Sequence, residues 1–304
     1  MRRGYVPLLL LLSALWGSSY MFIKVAVEEI PPAAMISLRL LLAGAILLAV
    51  LSAQSGGVRG AWRELRVVGR GGLVLGVINS SLPFTLIAWG ETHVESGVAG
   101  IANASVPIFV VLLALRFNPA ERVTGWRLLG VVVGIAGVGV LAGLHPSGGW
   151  WAVAGVGAIT LASLAYAASN LFAQHHFSRA NVIAVAAATH ASAALFILPF
   201  GLARLPEHVP SLKAFGSVLA LGVLGTSIAS LVHYRMVGWY GSSRTTMVTY
   251  LIPAFALFYG VTILGEPVML NAVLGLALIL AGVALGSGLL RMARREPVPA
   301  APTP

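Results

Sequence analysis

Long apolar segments alternate with short polar ones along the whole chain. Ten segments are apolar over their full length, without the regular apolar and polar alternation of a half-buried strand. They cover approximately residues 7–27, 33–52, 71–89, 97–115, 125–144, 151–172, 182–202, 215–237, 245–264 and 268–290, and are called spans one to ten. A bilayer core about 30 Å thick is crossed by roughly 20 helical residues, which matches these lengths. The pattern predicts an all-α membrane protein with ten transmembrane helices, because each segment is about twice as long as a barrel strand.

The composition supports a protein whose solvent is lipid. Of the 304 residues, 58% are hydrophobic and only 9% are charged, and the mean hydropathy is +0.93. Because soluble domains carry about 25% charged residues, a water-soluble globule is excluded. The chain has no cysteine, so disulfides, thiolate metal sites and a cysteine nucleophile are excluded as well. The connections between the segments are too short to hold a folded domain.

The basic residues predict the orientation in the membrane, because cytoplasmic loops are enriched in Lys and Arg. With the N-terminus in the cytoplasm, the outer loops receive only Arg204 and Lys213. The inner loops and tails receive Arg2, Arg3, Arg59, Arg63, Arg66, Arg70, Arg116, Arg122, Arg127, Arg179, Arg235, Arg244, Arg291, Arg294 and Arg295. We therefore expect a multi-pass protein of the plasma (inner) membrane with both termini in the cytoplasm. The charge of +10 follows from this topology, and no nucleic-acid partner is expected.

The two halves of the chain resemble each other at an offset of 145 to 151 residues. Pro107 corresponds to Pro253, the triplet 79–81 to 225–227, and Trp16 to Tyr166. We therefore expect a first five-helix repeat over residues 1–146, a second over residues 147–290, and a disordered cytoplasmic tail over residues 291–304. Since five is odd, the second copy enters the membrane from the opposite face. The repeats are expected to be inverted, an arrangement that recurs in secondary transporters.

Several short motifs occur in an order that resembles a known family. These are Ala14-Leu15-Trp16-Gly17-Ser18-Ser19-Tyr20 with Lys24, then Arg39, then Ser96-Gly97-Val98-Ala99 up to Pro107, and Gly265-Glu266-Pro267. Together they resemble the two EamA-type repeats of the drug/metabolite transporter superfamily, over residues 7 to 290. The resemblance implies ten helices and a central cavity lined by spans one, three, four, six, eight and nine. It also implies export of amino acids or similar small metabolites. The second copy departs from the pattern where Trp-Gly becomes Tyr166-Ala167, which argues against a strictly symmetric site.

Polar and aromatic residues inside the spans are the candidates for substrate binding, because polar groups in a bilayer face a cavity or a partner. The candidates are Trp16, Tyr20, Arg39, Asn79, Ser80, Ser81, Asn103, Tyr166, Asn170, Thr226, Ser227 and Tyr250. Hydrogen bonding between helices is the alternative role for the hydroxyl and amide groups. An interfacial position is the alternative for aromatic residues, and a structural ion pair for Arg39.

Two further pairs have candidate roles in the mechanism. Pro107 and Pro253 are expected to kink their helices, since proline removes a backbone donor and frees a carbonyl one turn earlier. His190 and His233 are candidates for proton coupling, with packing as the alternative. Because no Asp or Glu lies in the middle of a span, a facilitator, an exchanger or coupling through histidine is expected.

Metal and cofactor sites are not expected. Glu91, His93 and Glu95 form a cluster of ligand-type residues, but it lies on a turn that we expect to be solvated. The glycines of spans five and ten, such as Gly134 and Gly282, have a spacing that lets helices approach closely. These two spans are expected to pack together or to form a dimer, so the protein is expected to be a monomer or a weak homodimer.

The sequence favours a secondary transporter that exports amino acids or amphiphilic and cationic compounds by alternating access. One alternative is a sugar or nucleotide-sugar carrier, although a nucleotide would require more basic residues at mid-membrane than Arg39 alone. Another is an intramembrane enzyme acting on lipid or peptide. The chain has no Asp, no His-Glu-x-x-His motif and no Gly-x-Ser-x-Gly motif, so an enzyme is not expected.

Overall fold

The computed structural model describes residues 4–117, 126–142, 149–177 and 180–286, and within these ranges the protein is helical with no strand. Seven helical runs are long and apolar enough to cross a membrane, and three shorter apolar helices bring the number to ten. The prediction of an all-α protein with ten spans is confirmed. Helices suit this setting because their backbone groups are paired within the segment and none is left unpaired in lipid.

Six spans are single helices. They are Tyr5–Val27, Pro32–Gln54, Trp126–Ala142, Gly149–His176, Val182–Leu202 and Leu270–Gly286, which form spans one, two, five, six, seven and ten. Pro32 opens span two at a position where its missing N–H costs nothing, and the Asn181 side chain caps span seven by accepting from the amides of Ile183 and Ala184.

The other four spans are interrupted, and they occupy corresponding places in the two halves. Span three consists of Val58–Leu75, a π-helical segment Gly76–Ser81 and Leu82–Glu91. Span four consists of Ser96–Asn103 and Val106–Phe117. Span eight consists of Leu212–Ala220, a π-helical segment Leu221–Ile228 and Ala229–Tyr240. Span nine consists of Ser242–Thr245, Val248–Tyr259 and a π-helical segment Gly260–Leu264.

Span three begins earlier than the hydropathy pattern indicates. Residues 58–68 were expected to be part of an inner loop, but they are helical and continue towards the span through a break at Gly69. Gly69 has a φ of 53°, a conformation that favours glycine. The segment is amphipathic, with Ala61 and Val68 buried and Arg63 and Arg66 exposed. Hydropathy alone misses such a helix because its arginines lower the average over the segment.

Spans two and seven pack against each other in opposite directions. The hydroxyl of Ser37 donates to the carbonyl of Ile197 over 3.2 Å. Further along span two, a methyl group on Gly44 would lie 3.1 Å from the Cα atom of Ala191. Residue numbers rise along one helix while they fall along the other, so the pair is antiparallel.

Spans five and ten form a second antiparallel pair. A methyl group on Gly137 would lie 2.8 Å from the amide nitrogen of Ile279, and one on Gly282 would lie 2.5 Å from that of Gly134. The two backbones therefore touch with no room for side chains between them, as small residues allow in membranes. The expected packing of these spans against each other is confirmed.

The remaining spans link the halves through the centre. Span one packs on spans eight and nine, and span six packs on spans three and four. The end of the bundle that contains the turns at residues 28–31, 92–95, 203–211 and 265–269 is called the Lys24 end, and the opposite end is called the Tyr5 end. At the Tyr5 end, the Tyr5 hydroxyl donates to the carbonyl of Arg244 over 3.0 Å.

The helix breaks lie near the prolines but do not coincide with them. Span four is interrupted at residues 104–105, just before Pro107, whereas Pro253 lies inside the helix Val248–Tyr259 and the turn of span nine comes at residues 246–247. The helix of span nine therefore continues through Pro253, and the expected kink at each proline stays a prediction. The backbone is interrupted at a stretch rich in Ser and Thr, whose side chains compete for backbone hydrogen bonds.

The predicted repeat boundary at 146/147 and the predicted tail over residues 291–304 lie outside the described residues. The division into two repeats over 1–146 and 147–290 stays a prediction at this stage.

Candidate functional site

Arg39 is the buried cation at the centre of the bundle. Its side chain is 5% exposed, and its Nε donates to the hydroxyl of Thr226 on span eight over 2.9 Å. Its guanidinium carbon lies 4.1 Å from the ring centroid of Phe84 on span three, which is cation–π geometry. Arg39 therefore joins spans two, three and eight at the boundary between the halves. In this structure the contacts of Arg39 are a hydroxyl group of the second half and an aromatic ring of the first half, and its expected role in substrate binding stays a prediction.

A hydrogen-bonded chain connects spans one, four and six. The side-chain amide of Asn103 donates to the hydroxyl of Tyr20 over 2.8 Å, and the Asn103 side-chain carbonyl accepts from the hydroxyl of Ser163 over 3.1 Å. Asn103 occupies the last helical position before the break of span four. The interruption thus places an amide side chain where three spans meet.

A second chain connects spans three and six. The hydroxyl of Ser169 donates to the side-chain carbonyl of Asn79 over 2.8 Å. On the same helix, the ring of Tyr166 meets that of Phe84 edge-on at 6.4 Å. Since Phe84 also lies under Arg39, the two chains and the cation surround one central region.

The hydroxyl groups of the π-helical segments are mostly occupied by their own backbone. Ser81, Thr226 and Ser227 each donate to the carbonyl five residues earlier, and Ser81 also lies 3.2 Å from the carbonyl of Ala193 on span seven. Within the described part of the chain, the buried hydroxyl of Ser80 has no hydrogen-bond partner. Ser81 therefore has an interhelical contact, Ser227 bonds within its own span, and Thr226 has in addition its bond to Arg39.

The other predicted residues have varied positions. Trp16 lies against His233, with the ring centroids 5.3 Å apart, and Tyr250 is half-buried beside the main apolar core. The Nδ1 atom of His190 lies 2.9 Å from the carbonyl of Ala186 in its own helix. Asn170 is exposed, and its side chain has no hydrogen bond to any residue that the structure describes. Asn170 is thus not joined to the central cluster.

The acidic residue Glu91 does not have the expected environment. Its turn was expected to be solvated, yet Glu91 is completely buried. It is the last residue of the helix Leu82–Glu91, which packs between neighbouring spans, and this explains the burial. The ammonium of Lys24 donates to the backbone carbonyls of Glu91 and Val94 over 2.9 and 2.7 Å.

Three residues of the central region were missing from the predicted set. Ser163 and Ser169 are polar residues in the middle of an apolar span, so the criterion that selected Asn79 would also have found them. Phe84 gives no such signal, because an aromatic residue in an apolar run is indistinguishable from a packing residue.

The region offers hydrogen-bond donors and acceptors, aromatic faces and one fixed cation. Across the residues that the structure describes, no three side chains of His, Asp, Glu or Cys come together as a metal site. A cleft of about 710 Å³ lies elsewhere, at the Lys24 end, and is lined by Glu28, Glu29, Pro31, Ala203, Arg204, Leu205, Pro206, Glu207, His208, Val209 and Pro210. The groups of the central region can form hydrogen bonds, cation–π contacts and charge-assisted contacts with a small molecule.

Comparison with known proteins decides the family. The model of the EamA-like transporter family matches residues 4–143 and again residues 153–288. The chain belongs to the EamA-like transporter family. As an EamA-like transporter it is a multi-pass integral membrane protein with the ten-helix fold, and it is a transporter rather than an enzyme.

Relatives and a solved structure agree with this assignment. An "Uncharacterized transporter" of Archaeoglobus fulgidus is 28% identical over 88% of this chain and 93% of its own length. A "Probable terminal-alkyne amino-acid exporter" of Streptantibioticus cattleyicolor is 30% identical, over 89% of each chain. A crystal structure with 20% identity covers 97% of this EamA-like chain and 100% of its own, with a TM-score of 0.64. That structure supports the fold alone.

Proposed function

We propose that the protein is a secondary transporter that exports small metabolites, either amino acids or amphiphilic and cationic compounds, by alternating access. The observation that carries this proposal is the set of interrupted helices in spans three, four, eight and nine, which take corresponding places in the two halves. Discontinuous helices in matched positions form the binding sites of many secondary transporters.

We infer that the two copies are inverted. Spans two and seven are the second helices of their copies, and they run antiparallel where Ser37 meets Ile197. Two copies with the same internal order can place equivalent helices antiparallel only when one copy is turned over in the membrane. Such halves can exchange conformations, so states open to either side differ little in energy.

The substrate class is inferred from the central region and from a relative. Arg39 offers a guanidinium for a carboxylate, and Tyr20, Tyr166 and Trp16 offer faces for an apolar or cationic part. The relative named as a probable exporter of a terminal-alkyne amino acid supports an amino-acid-like substrate. A sugar carrier of the same superfamily is the alternative, favoured by the same aromatic faces.

The experiment is a flux assay with purified protein in proteoliposomes. A panel of amino acids, cationic dyes and sugars is tested, and we expect amino acids or amphiphilic cations to move. Transport of sugars alone would favour the alternative, and transport of none of them would contradict the proposal.

The Thr226→Val variant tests the site within this assay. Valine keeps the shape of threonine but cannot accept from Arg39, and losing a hydrogen bond to a charged group costs about 1.5 to 3 kcal/mol. We expect flux to fall several-fold, because the guanidinium of Arg39 loses the contact that fixes its orientation. Thr262→Val is the matched control, since Thr262 is exposed in the π-helical segment of span nine and bonds only to the carbonyl of Phe258. Equal loss in both variants would remove Thr226 from the site.

The Asn79→Leu variant tests the contact between spans three and six in the central region. It removes the acceptor of Ser169, so flux is expected to fall while the protein still folds, as judged by size-exclusion chromatography. Asn271→Leu is the control, because Asn271 bonds to the carbonyl of Leu141 in the peripheral pair of spans five and ten. Unchanged flux in Asn79→Leu would show that Asn79 does not line the path.

A further inference from the structure

Glu91 is a carboxyl group without any partner for its oxygens. Its side chain is 0% exposed, and neither Oε1 nor Oε2 has a hydrogen bond to the residues that the structure describes. Buried polar atoms in proteins are nearly always hydrogen-bonded, so each exception needs an explanation. An ionised carboxylate in such a place would be destabilised, because it has lost its water and accepts no hydrogen bond in return, and the attraction of Lys24 and Arg39 offsets only part of this loss.

The ammonium of Lys24, the nearest lysine along this part of the fold, already donates to other acceptors. The ammonium of Lys24 donates to two backbone carbonyls at the end of the helix Leu82–Glu91, at 2.9 Å from Glu91 O and 2.7 Å from Val94 O. It therefore satisfies the carbonyls that a helix C-terminus leaves open and interacts with the negative end of its dipole. The carboxyl group of Glu91 and the ammonium of Lys24 do not form a hydrogen-bonded pair in this conformation.

The other charged groups around Glu91 do not supply a partner either. Arg39 on span two, Glu266 before span ten and Tyr20 on span one are close enough to interact electrostatically with Glu91. Arg39 is bonded to Thr226, and both oxygens of Glu266 accept from Ser96 and Gly97 at the start of span four. The helix of span six that touches Gly90 has only apolar and small residues at that level.

The part of the Lys24 end that covers Glu91 is closed, and the cleft lined by residues 28–29, 31 and 203–210 lies apart from it at the same end. Ile87, Ala88, Val94 and Val98, which are close to Glu91 along the chain, belong to the main apolar core and are each at most 8% exposed. Glu266 ties the connection between spans nine and ten to the N-terminus of span four by hydrogen bonds of 2.7 to 3.1 Å. Water can reach Glu91 from this side only when these contacts separate.

We propose that Glu91 is a proton-binding site, and that the Lys24 end closes only when Glu91 carries a proton. When this end opens, the carboxylic acid meets water and gives its proton to it, leaving a carboxylate and a hydronium ion. Closure reverses the step. The ligand of the site is thus a proton taken from the side of the membrane that the Lys24 end faces, which we expect to be the outside. The inference rests on the proposed transport cycle, because it requires that this end opens.

The absence of cysteine in the chain makes a direct test possible. Val98→Cys places a single thiol beneath the closed end, and Val209→Cys places one on the exposed connection between spans seven and eight, where Val209 is 95% exposed. A membrane-impermeant maleimide is applied from outside between about pH 5 and about pH 8. The ratio of the two labelling rates cancels most of the titration of the thiol itself.

We expect the ratio to rise several-fold towards high pH when Glu91 is present. With Glu91→Gln, a neutral side chain of the same shape, the ratio is expected to stay low at every pH. Glu91→Asp keeps a titrating carboxyl and is expected to keep the rise. Glu95→Gln, on the same turn, is the matched control and should behave as the parent.

An identical pH profile with and without the carboxyl of Glu91 would overturn the proposal, as would loss of the rise in Glu95→Gln. Correct folding of each variant is checked by size-exclusion chromatography. The labelling needs no substrate, so it separates the two proposals. If labelling follows Glu91 but no compound is transported, the proton site stands and the proposed substrates fail; if compounds are transported but labelling ignores Glu91, only the proton site fails.

Discussion

Single polar side chains inside this bundle are almost all bonded to another span or to their own backbone. In the described ranges, the buried side-chain atoms without a partner belong to Ser80 and Glu91 alone. The bonded groups, such as Asn103 between Tyr20 and Ser163, fix the distances between helices. A buried polar group without a hydrogen bond lowers stability, so such a group is a candidate for a functional role.

A carboxyl group at the surface behaves in the opposite way. Glu29 accepts from the hydroxyl and the amide of Ser211, both over 2.6 Å, and these bonds hold the pKa of Glu29 below its usual value of about 4.5. A lowered pKa means that the carboxylate stabilises the folded state above the unfolded-state pKa. That contribution is lost as the pH falls through the lowered value.

The Glu29→Gln variant tests this contact between the first and seventh connections. We expect the parent to lose thermal stability between about pH 7 and about pH 3, and Glu29→Gln to lose less, because it has no carboxylate to protonate. Melting curves in detergent, followed by tryptophan fluorescence, provide the measurement. Glu28→Gln is the control, since Glu28 is exposed beside it; an equal effect of both variants would contradict the role of Ser211.

At the scale of elements, the interruptions of the helices position the polar groups of the central region. Span three changes direction at Gly69 and widens to a π-helix at Gly76–Ser81, and span eight widens at Leu221–Ile228. Each widened turn leaves hydroxyl groups bonded five residues back, which places Thr226 under Arg39. π-helical turns of this kind occur frequently at functional sites.

The bend at Gly69 can be tested without touching the centre. A methyl group at Gly69 would meet nothing within 4 Å, so Gly69→Ala is disfavoured only by the φ of 53°. We expect a loss of about 1 to 3 kcal/mol in unfolding free energy, because a φ of 53° with a ψ of −139° is a conformation that essentially glycine alone adopts. Gly216→Ala is the control, because Gly216 also has open space around it and lies within the helix Leu212–Ala220, where alanine is favoured. Unfolding titrations in mixed micelles measure the unfolding free energy of both variants. An equal change in Gly69→Ala and Gly216→Ala would show that alanine is not strained at the bend.

The sequence contains most of the elements but only part of the site. The ten apolar runs predicted the ten spans, because hydropathy is a local property of the sequence. The glycine spacing in spans five and ten predicted their contact, because close packing requires small residues at regular positions. The amphipathic start of span three was missed since its arginines lower the average hydropathy. Arg39 and Asn103 were found because a polar residue in an apolar run is visible without a structure.

The remaining site residues depend on the fold. Phe84 acquires its role only because the fold brings it under Arg39. Glu91 was placed in a solvated turn, since a sequence position next to a loop says nothing of the neighbouring spans that cover it. Burial of a loop-adjacent residue is a property of the whole bundle, so no local pattern could have predicted it.

At the scale of the whole molecule, the charge distribution predicts which end faces the cytoplasm. Val58→Cys lies at the start of the arginine-rich helix of span three, and Val209→Cys at the Lys24 end; both positions are largely exposed. An impermeant maleimide added to intact cells should label Val209→Cys, and label Val58→Cys only after permeabilisation. The reverse labelling pattern would contradict the predicted orientation. The parent protein, which has no cysteine, is the negative control for labelling.

The antiparallel pair of spans five and ten restricts how the two halves can move. At Gly137 and Gly282 the main chains lie against each other, so a slide by even one residue would drive a side chain into a peptide group. Translation along this seam is therefore blocked, and only a small rotation about it remains. In the proposed transport cycle we therefore expect this pair to act as a pivot, with the largest displacements on the helices furthest from it.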